Sequence, residues 1–149
     1  MSPLNRIDQI GIVVRDLDAA AAGMRRVLGA EPHTRVENTY RRTTYRGTEI
    51  DATVGVMLYD VGGIELEFLA PRSPGNVWQD FLDERGEGLH HIRFDVDSHA
   101  AARDDLHARG VETYQEGESM RGGEIRYAYY DTVPFLGFLI ETLNAGGKA

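Results

Sequence analysis

Gln9-Ile10-Gly11-Ile12-Val13-Val14-Arg15-Asp16 is answered 82 residues later by His91-Ile92-Arg93-Phe94-Asp95-Val96-Asp97-Ser98. Each copy opens on a side chain able to ligate a cation and runs on as a strand-like segment, the first rich in β-branched residues. Each half of the chain then closes on a strand-like run carrying a glutamate, Ile64-Glu65-Leu66-Glu67-Phe68-Leu69 and Phe138-Leu139-Ile140-Glu141-Thr142-Leu143. Gln9, Glu67, His91 and Glu141 are therefore four candidate metal ligands in equivalent places of two repeats.

Working outward from these runs, the first module covers 7–70 in the order β-α-β-β-β. A strand over 7–14 is followed by an Ala-rich helix to residue 28, with Asp16 or Asp18 as N-cap and Gly29 as its stop. Strands near 36–45, 54–59 and 64–69 come next, the last two joined by a tight turn at Gly62-Gly63. The connector 71–88 holds a short helix over 77–84 that puts Trp78, Phe81 and Leu82 on one face and serves as a link. The second module, 89–143, repeats the order with a strand over 89–96, a Ser98-capped helix ending at Gly110, and strands near 111–114, 125–130 and 137–143. The expected fold class is α+β, with paired βαβββ modules forming a curved, cleft-bearing mixed sheet in one domain, 1–149. Period-2 strands with one helix per module further suggest antiparallel pairing, each helix covering its sheet's outer face and the inner faces sharing the cleft.

Bulk composition narrows the partners. At 149 residues and 42% hydrophobic, the chain can bury a normal core. A net charge of −8 without a Lys/Arg cluster repels phosphate backbones and anionic membranes, so neither nucleic acid nor a membrane is an expected partner. With no cysteine there is no disulfide, thiolate zinc site or cysteine nucleophile. The first residues lack a signal-peptide core and no apolar run is long enough to span a bilayer, so a cytoplasmic location is expected.

Glu67 lies between apolar Leu66 and Phe68, and Glu141 between Ile140 and Thr142. Carboxylates projecting from a sheet into a closed interior cost several kcal/mol unless they are paired, hydrogen-bonded or on a metal. One such glutamate reads as a salt-bridged edge residue; four matched groups read as a site. A pseudo-twofold between the repeats would bring all four to one point. Three oxygen donors and one imidazole suit a borderline divalent ion, Co²⁺, Ni²⁺, Zn²⁺, Mn²⁺ or Fe²⁺, with positions open for substrate. His90 must face away from its neighbour His91 and reads as a packing residue. His33, His99 and His107 receive no role, and Tyr59, Trp78, Tyr127 and Tyr129 either line the cleft or fill the core.

The chain resembles the vicinal oxygen chelate superfamily, which contains glyoxalase I, methylmalonyl-CoA epimerase and the extradiol dioxygenases. The resemblance spans 7–143 and is strongest to the epimerases through Ile7-Asp8-Gln9-Ile10-Gly11-Ile12-Val13-Val14-Arg15-Asp16-Leu17, Glu67-Phe68-Leu69-Ala70-Pro71 and Arg85-Gly86-Glu87-Gly88-Leu89-His90-His91-Ile92. It implies the vicinal oxygen chelate fold, a divalent metal on Gln9, Glu67, His91 and Glu141, and a homodimer. The set Gln, Glu, His, Glu is similar to that of zinc glyoxalase I, whereas the epimerases carry histidine at the place of Gln9. Val13, Pro71 and Glu87 replace the glutathione-holding residues of glyoxalase I, and Tyr130-Asp131-Thr132-Val133 replaces the epimerases' His-Pro-Lys-Ser. The acyl carrier of the substrate is therefore left open.

What the epimerase and glyoxalase branches share is proton transfer beside a carbonyl. The resemblance thus implies an isomerase, epimerase or lyase acting on a small carbonyl compound through a metal-stabilised enolate, with Glu141 as general base. A second acid-base group, counted 16 residues back from Glu67 by that resemblance, is Asp51, with Glu49 beside it. Two rivals stand next to this expectation: a metal-free or non-catalytic binding protein for a hydrophobic small molecule, and a metal-free acid-base enzyme using the same cleft.

Overall fold

The structure, a computed structural model, describes residues 2–122 and 124–145; Met1, Gly123 and 146–149 of the expected 1–149 domain lie outside the described residues. The first module comprises β1 (Ile7–Val13), α1 (Leu17–Leu28), β2 (Thr34–Tyr45), β3 (Thr48–Val61) and β4 (Ile64–Pro71). Helix α2 (Val77–Arg85) connects it to β5 (Gly88–Asp95), α3 (His99–Ala108), β6 (Thr113–Glu118), β7 (Arg126–Tyr130), the short α4 (Val133–Leu136) and β8 (Leu139–Leu143). Local signals set these limits. Asp16 Oδ1 accepts from the Asp18 and Ala19 N–H groups at the start of α1, and Gly29 ends that helix in the left-handed conformation. Arg46-Gly47 and Gly62-Gly63, all at positive φ, make the two hairpin turns of the first module.

The strands close into one barrel in the order β1-β4-β3-β2-β6-β7-β8-β5. Within each module the first strand pairs parallel with the last, β1 with β4 and β5 with β8, so the sheet is mixed as expected and the antiparallel pairing inferred from alternation is corrected at these two places. Helices α1 and α3 are the crossovers that parallel neighbours need. The expected outer coverage holds: Leu17 and Met24 of α1 pack on Met57, Tyr59, Phe68 and Ala70, and Leu106 of α3 packs on Ala128, Tyr130 and Ile140. Tyr59 thus belongs to the outer layer under α1.

Two seams join the modules. One is long, where β1 and β5 pair antiparallel over most of their length. The other is short, because β2 meets β6 only at Thr44–Glu116 and Tyr45–Gln115. Beyond those two rungs the strands part, and the barrel gapes between the first half of β2 and the segment after β6. The far end is filled by the connector. Trp78, 1% exposed, lies against the Tyr40 and Tyr129 rings and donates its indole N–H to Tyr129 Oη at 3.2 Å. Helix α2 is therefore a plug in the main core as well as a link.

Candidate active site

The gape leads into a cavity of about 210 Å³ whose floor includes Gln9, Glu67, Arg93 and Glu141. Strand order explains their meeting, since β4, β1, β5 and β8 run side by side. Register arranges the side chains in two neighbouring rows. Gln9 lies opposite Glu65 on one side and Arg93 on the other, with Glu141 beyond Arg93; Gly11 lies between Glu67 and His91. Gly11 is required here because the His91 ring lies over it, so any Cβ would collide with that ring.

All four predicted ligands converge. His91 is fully buried, and its Nε2 stands 2.9 Å from Gln9 Oε1, 3.0 Å from Glu141 Oε2 and 3.6 Å from Glu67 Oε1. Gln9 Nε2 donates to Glu65 Oε1 at 2.6 Å, which turns the amide oxygen toward His91. Among the described residues no three His, Asp or Glu side chains already stand as a formed coordination site. The amide of Gln9 supplies the further donor, and Glu141 Oε2 is buried without a hydrogen-bond donor among the described residues. Three oxygens around one imidazole nitrogen call for a positive species between them, a proton or a cation.

The electrostatics agree. Burial, then the field of Glu141, pushes the Glu67 carboxyl up to about 8; burial against the opposing field of Arg93 leaves Glu141 at about 8 as well. Burial, reinforced by Arg93, drives the His91 imidazole down to about 3. The 3.0 Å approach of His91 to Glu141 has the length of an ion pair, yet these shifts leave both groups neutral at pH 7, and we read it as a contact between uncharged partners. Arg93 stays charged: burial works against it, but paired bonds to Asp8 at 2.9 and 3.0 Å and the fields of Glu141 and Glu67 raise its pKa.

Asp51 is not brought to this cavity. A register shift between Tyr40 and Thr43, with Arg42 at φ 51, bends β2 so that the Arg42 N–H holds Asp51 Oδ1 at 2.9 Å, and Arg41 approaches its other oxygen at 3.5 Å. Its side chain is 55% exposed. Trp78, Tyr127 and Tyr129 do line the cavity. The opposed orientation expected of His90 and His91 fails for a local reason. Leu89 pairs with Ile12 and His91 with Gly11, so His90 is the extra residue of a β-bulge, and both rings are buried with their Nδ1 atoms 3.0 Å apart. The sequence reading also passed over Glu65 and Arg93. The signal was present, because Glu65 lies two residues from Glu67 and Arg93 two from His91, a spacing that puts each on the same strand face.

Comparison with known proteins fits this geometry. The family profile described as Glyoxalase/Bleomycin resistance protein/Dioxygenase superfamily matches residues 8–130. The chain belongs to that superfamily. Among superfamily relatives, the ethylmalonyl-CoA/methylmalonyl-CoA epimerase of Cereibacter sphaeroides is 32% identical over 120 residues, covering 80% of this chain and 81% of the relative. A methylmalonyl-CoA epimerase solved in complex with methylmalonyl-CoA and NH4+ superposes with a TM-score of 0.64 at 26% identity, over 94% of each chain. The Mycobacterium tuberculosis methylmalonyl-CoA epimerase, at 21% identity, shares the fold with a TM-score of 0.67 over 96% of this chain and 89% of its own. The mixed eight-stranded sheet is thus the superfamily's fold. Among the described residues no helix is long and apolar enough to cross a membrane.

Proposed function

We propose that this chain is an epimerase of a small carbonyl compound, acting on the carbon beside the carbonyl of a malonyl-type thioester, with a divalent cation held by Gln9, Glu67, His91 and Glu141. The observation that carries this reading is the convergence of three oxygens on His91 Nε2, one of them the unpartnered Glu141 Oε2. The epimerase relatives supply the reaction class and the acyl carrier. When bound, a divalent cation supplies Lewis acidity toward charge that develops on a carbonyl oxygen.

The remaining chemistry falls to the chain's own groups. Beside a bound cation Glu141 is held as the carboxylate, and in that form, on the cavity floor, it removes the proton next to the carbonyl and so generates an enolate. Inversion requires a proton returned to the opposite face. Glu67 stands at the other end of the four-strand run and is the second buried carboxyl placed to deliver it. The fixed charge of Arg93 lies against this floor and favours anionic species in the cavity. Apolar Val56, Leu58, Leu69 and Leu143 exclude water from the reacting carbon. Asp51, held outside by Arg41 and Arg42, is given no step.

A second reading is a metal-free acid-base enzyme using the same cavity: the Glu67 and Glu141 carboxyls approach one point, 3.6 and 3.0 Å from His91 Nε2, where a proton fits the place given to the cation. Metal content of tag-free protein decides between them, compared with His91→Ala and Glu141→Ala and coupled to exchange of the thioester's α-proton with deuterated solvent. One divalent ion per chain, lost in both variants together with exchange, is the expected result. Undiminished exchange after exhaustive chelation would refute the cation-dependent reading.

A further inference from the structure

Among the described residues two cationic side chains line the cavity, Arg93 and Arg121. Arg93 is committed, since two of its nitrogens bond the Asp8 carboxylate at 2.9 and 3.0 Å. Arg121 stands exposed on the rim, in the turn after β6, and forms no ion pair among the described residues. An exposed arginine without a partner is ordinary by itself; this one is distinguished by where its turn holds it. The Ser119 N–H donates to the Ile125 carbonyl at 2.8 Å, Ser119 Oγ accepts from the Arg121 N–H at 3.2 Å, and the Gly122 N–H, with φ 74 at that glycine, donates to the Ser119 carbonyl at 2.9 Å. The Arg121 charge also reaches the floor. Burial is the first influence on the Glu67 and Glu141 carboxyls, and both feel Arg121 in the opposite sense.

A malonyl-type thioester carries two oxygen-bearing groups on the reacting carbon, and only the thioester carbonyl gains negative charge when the proton leaves. The carboxylate is charged throughout, and stripping it of water is costly unless a fixed counter-charge meets it. The floor presents Glu65, Glu67 and Glu141 beside the committed Arg93, whereas the rim presents a free guanidinium. We propose that Arg121 is a specificity-determining residue: from the doorway its guanidinium fork takes the free carboxylate of the substrate, while the thioester carbonyl reaches the wall of Gln9, Glu67, His91 and Glu141. This assignment rests on the substrate class proposed above and adds which end of the substrate points where. With both oxygen groups held, the hydrogen and the side chain are the two substituents left to exchange sides, which is what inversion between two buried carboxyls requires. A phosphate on the acyl carrier offers the same anionic oxygens, and the choice of ligands separates the two.

The test is calorimetric titration of wild-type, Arg121→Gln and Arg121→Lys protein with three ligands: malonyl-CoA; propionyl-CoA, which lacks the carboxylate; and the malonyl thioester of N-acetylcysteamine, which lacks the phosphates. Arg121→Gln should weaken both malonyl ligands roughly 10–100-fold and propionyl-CoA less than about 3-fold, with Arg121→Lys in between because it keeps the charge and loses the fork. The melting temperature should not move, since no ion pair within the protein is lost. Arg26→Gln removes the same charge from the last turn of α1 and should leave all three affinities unchanged. Equal losses for malonyl-CoA and propionyl-CoA, with the N-acetylcysteamine thioester untouched, would overturn the assignment in favour of a carrier phosphate. Three unchanged affinities in a folded Arg121→Gln would overturn it outright, and in both cases the substrate class stands. Wild-type protein that binds neither malonyl ligand would remove the substrate class and the assignment together.

Discussion

Replacing Gly11 by alanine adds a single methyl group at the point where the two modules meet. A Cβ built there stands 2.5 Å from His91 Nε2 and closer still to Cε1 and Nδ1, where ordinary contact begins at 3.4 Å. The whole ring must therefore shift by about an ångström, a strain of the kind that overpacking imposes. The ring has no room to yield, because it is fully buried with the Tyr129 and His90 rings at 5.2 Å. Overpacking of this kind costs about 1–3 kcal/mol. A misplacement on that scale also weakens a positioned site by roughly 10²-fold. Urea unfolding reads the first effect and calorimetric titration with Zn²⁺ the second. Gly23→Ala is the matched control: Gly23 lies in α1 with nothing within 4 Å of an added Cβ, so it should gain about 0.5–1 kcal/mol of stability. Wild-type stability and wild-type Zn²⁺ affinity in Gly11→Ala would refute the account of His91 as a ring held over a glycine.

Three further outcomes follow from the geometry. Glu67 and Glu141 have folded-state pKa values of about 8, above the ordinary value near 4.3, while burial holds His90 and His91 below the ordinary value near 6.5; the two pairs offset each other below about 6.5, and from there to about 8 the carboxyls alone leave the metal-free protein binding more protons folded than unfolded, so it loses stability as pH rises; melting temperature against pH should fall between about 6.5 and 8, with Zn²⁺ stabilising more at the upper end and Glu141→Gln flattening the slope. Trp78→Ala removes the plug of the barrel and should cost about 3–5 kcal/mol in denaturant unfolding, and a loss under 1 kcal/mol would show that α2 is dispensable to the core. Asp51→Asn should leave α-proton exchange unchanged, whereas a collapse of exchange in a folded variant would return Asp51 to the mechanism.

The repeat of Gln9 and His91, with Glu67 and Glu141 at the ends of their modules, was enough to place four groups at one point, because equivalent strands of fused modules must occupy equivalent places. Alternation also made the outward faces legible, since Leu17, Met24 and Leu106 needed a sheet to cover. Pairing direction was not legible. Nothing in Ile7–Val13 distinguishes a parallel from an antiparallel neighbour, and only the crossover through α1 decides it. The bulge at His90 escaped for a related reason: an extra residue leaves the composition of β5 unchanged and inverts the facing of what precedes it. Helix α2 read as a link, with Trp78 left between cleft and core, because a nine-residue helix carries no mark of where it docks. Arg93 and Glu65 were visible by spacing, but their roles depend on Asp8 and Gln9, which are partners from another strand.

The two unequal seams of the barrel give the protein a division of labour. The long β1–β5 seam carries the charged groups on four adjacent strands, a wall whose register is fixed by many rungs. The short β2–β6 seam carries the doorway, where Val36, Asn38 and Tyr40 face Met120 and Arg121 across the opening. Side chains at the doorway can be exchanged without moving a single donor on the wall opposite. Selectivity for the body of a substrate can therefore drift, in evolution or in the laboratory, while the chemistry behind it stays where it was built.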